Sequence, residues 1–341
     1  RAYNDQGPEP NQDKSDVVIE FYVMGDSPYD KRADTCRSGS DYEASCGSID
    51  CENRYDSSCT YVGRDYKCLR DSIFPYTNAG INSGDAAFVI HAGDINGGGS
   101  LADNNFCSES SFLARRDLFR TCDNFLLITG DNDWNECPTY RKSNNGENEK
   151  FRELWRDYFA RDTTVGKFNK NFPSYLSSGG TPTIDRKTTA NKNGDKNVEI
   201  FFFRYNDIAF FGMNRPARES YISNESSVDI NAEWIRSKIS NDCTLKSIVM
   251  FSHTEETNAV KAEITRYYGQ CGEIPYLVIM GDTHPETYCL KNKGSGRIEM
   301  TTEAFSSGPL RVAIVRDPNG GDYVHVFDTQ TLNSNSQCPE Y

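Results

Sequence analysis

The chain has 341 residues and a formal net charge of −13, from 37 basic and 50 acidic side chains. Such a charge argues against a nucleic-acid partner and against an anionic membrane surface. No apolar run approaches the ~20 residues that a membrane-spanning helix needs. The length is sufficient for one large domain or two, with a substantial core.

The cysteines indicate the compartment. There are 12 of them, an even number, and they are too widely spread for a single metal cluster, so disulfide pairing is the better interpretation. We therefore expect a secreted, extracellular protein whose signal peptide has been removed. The sequon Asn224-Glu-Ser226 predicts that the protein is a glycoprotein modified at Asn224.

Taken in order, the chain opens with a polar arm, residues 1–15, and reaches its first strand at 17–24. Residues 30–72 hold five cysteines and little apolar content, which predicts a cysteine-rich insertion. The apolar runs and their flanking glycines predict further strands at 86–92, 125–129, 199–205, 207–214, 247–252 and 276–280.

Helical periodicity is found between these strands, at 110–120, 150–160, 227–239 and 258–268. Residues 161–197 have the composition of a loop. Three late strands are expected before a polar tail, 331–341, and they lie at 286–290, 310–315 and 323–327. The alternation of strands and helices predicts one α/β domain, residues 16–330, in which two sheets pack between helices.

Polar side chains follow the ends of five predicted strands. Four strands end in glycine followed directly by aspartate, and the fifth ends in a histidine. The residues concerned are Asp26, Asp94, Asp131, Asp282 and His253. Because ligands gather beyond the carboxyl ends of strands in open α/β sheets, we expect these side chains to form one site.

The residue types at these strand ends suit divalent metals. A pair of metal ions ~3.5–4 Å apart can hold both the attacking and the leaving oxygen of a phosphoryl displacement. Such a pair needs carboxylate and amide oxygens together with imidazole nitrogens. The candidate ligands are Asp26, Asp94, Asp131, Asn132, His253, Asp282 and His284.

In this order and spacing, the motifs resemble those of the calcineurin-like metallophosphoesterase family, over residues 16–328 outside the insertion. The resemblance implies a four-layer α/β/β/α sandwich of two mixed β-sheets with a dinuclear site between them. It implies that Asp26 and His284 hold the first metal and that Asp94 bridges. Asn132 and His253 would then hold the second metal. The implied activity is hydrolysis of phosphate mono- or diesters by a metal-activated water, and Fe, Zn, Mn and Mg are not distinguished.

The sequence departs from the family pattern at three positions. Pro28 stands where the family usually has a histidine, and so does Asp282. In the third motif, strict spacing places Asp131 in the ligand position, whereas a shift of one residue keeps Asn132 there. Because Asp282 can replace a histidine ligand, we expect the second site to bind metal more tightly than the first.

Catalytic roles are assigned to two aspartates. Asp94 is the candidate bridging residue. Asp133 is a candidate general acid if its pKa is raised, although next to cations it is expected to stay ionised. The alternative for each aspartate taken singly is a turn or a helix N-cap, and Asp131 is only a turn residue if Asn132 is the ligand. His91, inside a strand, is expected in the core.

Two functional hypotheses remain open. The first is a secreted, metal-dependent phosphoric ester hydrolase with a phosphate-ester substrate. The second is a member of the same fold whose site is weakened or silent and whose role is structural or in binding, in an extracellular oligomer or filament. The arm, residues 1–15, packs either on its own domain or on a neighbouring copy, and we predict the neighbouring copy.

Overall fold

The computed structural model describes residues 16–25, 69–95, 109–134, 153–161, 165–173, 180–188, 198–214, 227–281, 289–294, 297–301, 309–316 and 323–327. The strands among them are β1 (Val17–Met24), β2 (Val89–His91), β3 (Phe125–Leu127), β4 (Asp185–Arg186), β5 (Phe201–Tyr205), β6 (Ile208–Gly212), β7 (Ser247–Ser252), β8 (Tyr276–Met280), β9 (Cys289–Gly294), β10 (Arg297–Thr301), β11 (Leu310–Arg316) and β12 (Tyr323–Phe327). The α-helices are α1 (Phe74–Ser83), α2 (Glu109–Phe119), α3 (Asp131–Trp134), α4 (Ser227–Ile239) and α5 (Asn258–Cys271). Two π-helical segments span Leu69–Ile73 and Arg156–Ala160.

The strands form two mixed sheets. The first has the order β12-β11-β1-β2-β3, and the second has the order β4-β5-β6-β7-β8-β10-β9. In the first sheet β1, β2 and β3 run parallel, while β11 is antiparallel to β1. In the second sheet β6, β7, β8 and β10 run parallel. Each sheet therefore has a block of parallel strands whose carboxyl ends lie at one edge.

Three buried apolar layers separate the sheets and the helices. The central layer lies between the sheets and is rich in aromatic rings, such as Phe21, Phe88 and Phe251. The second lies between the first sheet, helices α1 and α2 and the Arg156–Ala160 segment. The third lies between the second sheet and helices α4 and α5. The predicted four-layer α/β/β/α sandwich is confirmed.

Strand β1 is apolar at almost every position because both of its faces are buried. All eight of its residues are buried, since one face contacts the facing sheet and the other contacts helices. The exception in residue type is Glu20, whose carboxylate pairs with Arg311 on the neighbouring strand β11. The buried charge is thus neutralised across one pair of adjacent strands.

Most predicted elements are present with shifted ends. Helix α5 begins after Thr257, whose side chain accepts a hydrogen bond from the Val260 N–H at 3.2 Å, and it continues to Cys271. Helix α1 and strand β10 were not predicted, and β10 runs parallel to β8. The π-helical segment Leu69–Ile73 and the short helix α3 were not predicted either. The short strand β4 pairs with β5, so the assignment of residues 161–197 to a loop is wrong at that point. Leu69, assigned to the insertion from sequence, is fully buried in the core.

Two cysteine environments are described. Cys243 and Cys271 form a disulfide that joins the segment after α4 to the end of α5. Cys122 is a buried free thiol, 3.6 Å from the Thr77 hydroxyl, so the expectation of disulfides does not extend to every cysteine. The arm, residues 26–68 and the tail lie outside the described residues, and the expectations about them stay predictions. None of the helices in the described part of the chain combines the length and the apolarity required to cross a bilayer.

Candidate metal centre

Three predicted ligands meet at the carboxyl edge of the two sheets. Asp94 follows β2, Asp131 follows β3, and His253 follows β7 of the other sheet. The His253 Nε2 atom lies 3.3 Å from Asp94 Oδ1 and 3.4 Å from Asp131 Oδ1. One donor atom from each residue lies within 4.8 Å of the other two. The strand-end pattern therefore converges on one small volume, as the sequence predicts for these three residues.

The orientation of the His253 ring is fixed by the first sheet. Its Nδ1 lies 2.9 Å from the carbonyl oxygen of Ala92, which can only accept, so Nδ1 carries the proton and donates. The opposite nitrogen, Nε2, therefore faces the two carboxylates. Hydrogen bonding of one ring nitrogen to a backbone carbonyl is the usual way in which a metal-binding histidine is oriented.

The electrostatics of this cluster favour a cation. Burial by itself would lower the pKa of His253, but the neighbouring carboxylates of Asp94 and Asp131 outweigh burial and raise that pKa well above its usual range. A positive charge at this position is stabilised, which is the property that a divalent cation site requires.

The glycines before the aspartates permit the close approach of the strand ends. A Cβ atom on Gly130 would lie 1.9 Å from Asp94 Oδ1, and one on Gly281 would lie 2.2 Å from the Ala92 carbonyl oxygen. Gly93 has φ of +92°, and a Cβ there would lie 2.7 Å from His253 Nδ1. Distances below 3.0 Å require something to move, so these positions have no room for a side chain.

Asp133 occupies a different position from the other two aspartates. It lies in the short helix α3, where the sequence suggested a turn, and it is 2% exposed. Its Oδ1 accepts a hydrogen bond from the Ile95 N–H at 2.9 Å, and its Oδ2 accepts one from the Gly130 N–H at 3.2 Å. The contacts described for Asp133 are thus with the backbone beside the candidate ligands, and its catalytic role stays a prediction.

Four of the remaining predicted site residues lie outside the described residues: Asp26, Asn224, Asp282 and His284. Asn132 lies in α3, but its side chain is not described. The roles of all five stay predictions. For the third motif, the structure brings the carboxylate of Asp131 to His253. That placement agrees with strict motif spacing, in which Asp131 occupies the ligand position.

A buried polar network beside the site was not predicted from sequence. The Thr129 hydroxyl donates to Asn214 Oδ1 at 3.3 Å, and Asn214 Nδ2 donates to Glu199 Oε1 at 2.7 Å. Glu199 in turn accepts from Arg156 Nε at 3.0 Å. Thr129 directly precedes Gly130. The available signal was Asn214 itself, which follows an apolar strand in the same way as the candidate ligands do.

A fully buried cation also lies next to the Asp94 loop and was not predicted. Arg115, on α2, is 0% exposed, and its Nε donates to the Ile95 carbonyl oxygen at 2.5 Å. The periodicity of α2 identifies a helix but gives no indication that this arginine faces inward.

The donor set fits a divalent ion. Two carboxylates and one imidazole nitrogen are ligands that Zn²⁺, Mn²⁺ and Fe²⁺ accept in proteins. The three residues come from both sheets, and they lie where the parallel strands of each sheet end. This arrangement agrees with the resemblance that the sequence motifs suggested. The two mixed sheets between helices are also the architecture that this resemblance implies.

Comparisons with solved structures give low identities throughout. The chain is similar to a 5'-nucleotidase from Candida albicans SC5314, with 11% identity over 92% of this chain and 53% of that chain, at a TM-score of 0.48. It is similar to PhoD, with 10% identity over 91% of this chain and 68% of that one, at a TM-score of 0.45. It is similar to the calcineurin-like phosphoesterase YfkN from Bacillus subtilis, with 10% identity over 92% of this chain and 91% of that chain, at a TM-score of 0.36.

The identities are near 10% and the TM-scores are below 0.5, so these similarities assign neither a family nor a function to the chain. The chain spans about half the length of the Candida structure. No protein-family model matches the sequence, and no curated protein matches it either. The function is therefore argued from the residues of the site.

Proposed function

We propose that the protein is a metal-dependent phosphoesterase that hydrolyses phosphate mono- or diesters. The observation that carries the proposal is the convergence of Asp94, Asp131 and His253, with His253 Nε2 3.3 and 3.4 Å from the two carboxylate oxygens. The order of the strand-end motifs supports the reaction class, and the charge of the cluster supports a divalent cation as cofactor.

The chain's own residues divide the work in this proposal. Asp94 and Asp131 provide negative charge, and His253 provides a nitrogen donor that Ala92 holds in one orientation. A bound divalent ion would supply Lewis acidity and a water whose pKa approaches ~7. The predicted ligands Asp26, Asn132, Asp282 and His284 would add the remaining positions of a two-ion site, in which Asp94 bridges.

A second function is favoured by a specific sequence observation. Pro28 and Asp282 stand where the resembling family usually has histidines, and the third motif lacks a catalytic histidine. A protein that keeps the fold and one metal but does not turn over substrate would have a structural or binding role. The two proposals differ in turnover and not in metal binding, so one experiment distinguishes them.

The test uses full-length protein stripped of metal with a chelator and then reloaded with Mn²⁺, Zn²⁺, Fe²⁺ or Mg²⁺. Hydrolysis of an aryl phosphate monoester and of the corresponding diester is measured for wild type and for Asp94→Asn. Asn is preferred to Ala because Asp94 has φ of 57°, a left-handed conformation that asparagine tolerates. We expect metal-dependent hydrolysis in the wild type and its loss in the variant.

The matched control is Asp123→Asn, at the opposite end of β3, where the side chain contacts Asn82 and Asn169. It removes the same charge from the same sheet, and we expect wild-type hydrolysis. Wild-type protein that binds metal without hydrolysing either ester supports the structural alternative. Wild-type protein that binds no divalent ion overturns the metal-dependent proposal.

We also propose that the protein is secreted and glycosylated at Asn224, and that it forms a homo-oligomer through its arm. The disulfide between Cys243 and Cys271 supports an oxidising compartment. The sequon supports glycosylation. A mass measurement on protein from its native source, with and without residues 1–15, tests the sugar and the oligomer together. An unglycosylated monomer in both cases contradicts these two proposals.

A further inference from the structure

The carboxylate of Asp133 connects the two loops that carry the candidate carboxylate ligands. One oxygen accepts the N–H of Ile95, the residue after Asp94, and the other accepts the N–H of Gly130, the residue before Asp131. Asp133 is 2% exposed, so water competes little for these hydrogen bonds. A single buried side chain therefore fixes the peptide adjacent to each ligand.

Both loops need such a support. Asp94 has φ of 57°, a conformation that residues with a Cβ adopt only when the surroundings hold them there. Gly130 has no side chain with which to anchor itself, because a Cβ would lie 1.9 Å from Asp94 Oδ1. Asp133 accepts hydrogen bonds from the N–H of Ile95, directly after Asp94, and from the N–H of this glycine. The hydrogen bonds thus act directly beside Asp94 and at Gly130.

We propose that Asp133 is a positioning residue for the candidate metal centre: its carboxylate sets the separation of Asp94 and Asp131 by binding the backbone of both loops. The expected effect on metal binding rests on the proposed function, whereas the hydrogen bonds of Asp133 are independent of it. It differs from the general-acid role, because a general acid donates a proton from one carboxyl oxygen to the substrate. Both oxygens of Asp133 accept hydrogen bonds from backbone N–H groups instead.

The first test measures Mn²⁺ affinity of full-length wild type and Asp133→Asn by titration calorimetry. The amide of the variant keeps one acceptor and places an NH₂ group against the other backbone N–H. We expect the dissociation constant to rise about 10- to 100-fold, as it does when groups that orient metal ligands are removed. Turnover at saturating Mn²⁺ should then recover toward the wild-type value. Wild-type affinity with turnover lost at saturation would overturn the proposal in favour of a general acid.

The matched control is Asn124→Ser, at the other end of the same strand. Asn124 is buried, as Asp133 is, and its backbone has a left-handed conformation with φ of 48°, as that of Asp94 does. Its Oδ1 accepts the N–H groups of Asn169 and Lys170 at 2.7 and 2.8 Å. We expect this variant to lose folding stability and to keep the wild-type Mn²⁺ affinity. An equal loss of affinity in the control would show a general effect of destabilisation and overturn the positioning role.

A second readout separates this inference from the proposed function, because it needs no metal. Amide hydrogen exchange is measured by mass spectrometry on peptides that contain Ile95 and Gly130. We expect Asp133→Asn to accelerate exchange in both peptides and Asn124→Ser to leave both unchanged. If wild type binds no Mn²⁺ but exchange accelerates as stated, the phosphoesterase proposal fails and Asp133 still positions the loops. Unchanged exchange in Asp133→Asn overturns the inference.

Discussion

At the scale of single residues, three of the four glycines that precede strand-end aspartates are packing requirements: Gly93, Gly130 and Gly281. Gly130 abuts Asp94, and Gly281 abuts the carbonyl of Ala92, so the two sheets and the neighbouring loops approach more closely than side chains would permit. At these positions the sequence therefore combines a glycine that permits close approach with an aspartate that is a candidate ligand.

We expect Gly130→Ala to disturb the site more than a methyl group normally would. Its Cβ would lie 1.9 Å from Asp94 Oδ1 and 2.1 Å from Asp94 N, so the Asp94 loop must shift. Overpacking of this kind costs roughly 1–3 kcal/mol of unfolding free energy. Urea denaturation measures that cost, and calorimetric titration with Mn²⁺ measures the weakened binding that we expect alongside it.

The control for this substitution is Gly269→Ala, in helix α5, where no atom lies within 4 Å of the new Cβ. Alanine is a better helix former than glycine by about 0.8–1.0 kcal/mol, so this variant should be slightly more stable and bind Mn²⁺ normally. Wild-type affinity in Gly130→Ala would mean that the Asp94 loop tolerates displacement, contrary to our interpretation.

Residues of the site were predictable where the signal is local. Asp94, Asp131 and His253 each follow an apolar run directly, and the edge of a parallel sheet brings such positions together. The contacts of Asn214 with Thr129 and Glu199 were not predictable, because the partners are 85 and 15 residues away in the chain. Sequence gives the position of a polar residue on its strand, but not the identity of its distant partner.

At the scale of elements, helix α1 and strand β10 were not predicted because their local preferences are weak. Helix α1 contains Pro75, two asparagines and Gly80, a composition poor in helix formers, and it forms because Phe74 and Ile81 are buried against the first sheet. Strand β10 carries Arg297 and Glu299, which pair with each other and so make a polar-looking segment acceptable inside a sheet. In both cases tertiary contacts outweigh propensity.

The disulfide between Cys243 and Cys271 joins the segment after α4 to the end of α5. It closes a segment with a sequence separation of 28, and the loss of chain entropy in the unfolded state predicts a stabilisation of about 3–4 kcal/mol. We expect Cys243→Ser with Cys271→Ser to lower the unfolding free energy by that amount in urea denaturation. Because the double variant lacks this bridge, reducing agent should lower its unfolding free energy less than that of the wild type.

Cys122→Ala is the matched control for the disulfide. Cys122 is a buried free thiol in a different apolar layer. We therefore expect reducing agent to lower the unfolding free energy of Cys122→Ala by as much as it lowers that of the wild type. Equal unfolding free energies for wild type and the double serine variant would contradict the stabilising role of the bridge.

At the scale of the whole molecule, the two sheets also meet through a polar contact. The Ser247 hydroxyl of β7 lies 2.9 Å from Nε2 of His325 on β12. Burial lowers the pKa of His325 to about 4, below the usual 6.5 of an exposed imidazole. The folded state therefore keeps this ring neutral under conditions in which the unfolded chain would protonate it.

The sign of the resulting pH dependence follows from that lowered pKa. The contribution of His325 to stability is complete above about pH 6.5 and is lost as the pH falls toward 4, by roughly 3 kcal/mol. We expect His325→Asn to lose less unfolding free energy than wild type between pH 7 and pH 4, as measured by urea denaturation at each pH.

Ser247→Ala is the control for the pH dependence. It removes the hydrogen bond but leaves His325 buried, so it should lower stability at every pH while keeping the wild-type dependence. Identical acid sensitivity of wild type and His325→Asn would show that His325 is not the group responsible.

The position of β1 has a consequence for how the protein is made. This early strand occupies the middle of the first sheet, and one of its two neighbours is β11, so that the pairing of Glu20 with Arg311 spans 291 residues of sequence. A ribosome adds ~5–20 residues per second, so a newly made β1 waits roughly 15–60 s for that neighbour. During this interval one apolar edge stays open to other chains. The nascent protein therefore depends on other molecules to cover this edge of β1 until β11 has been synthesised.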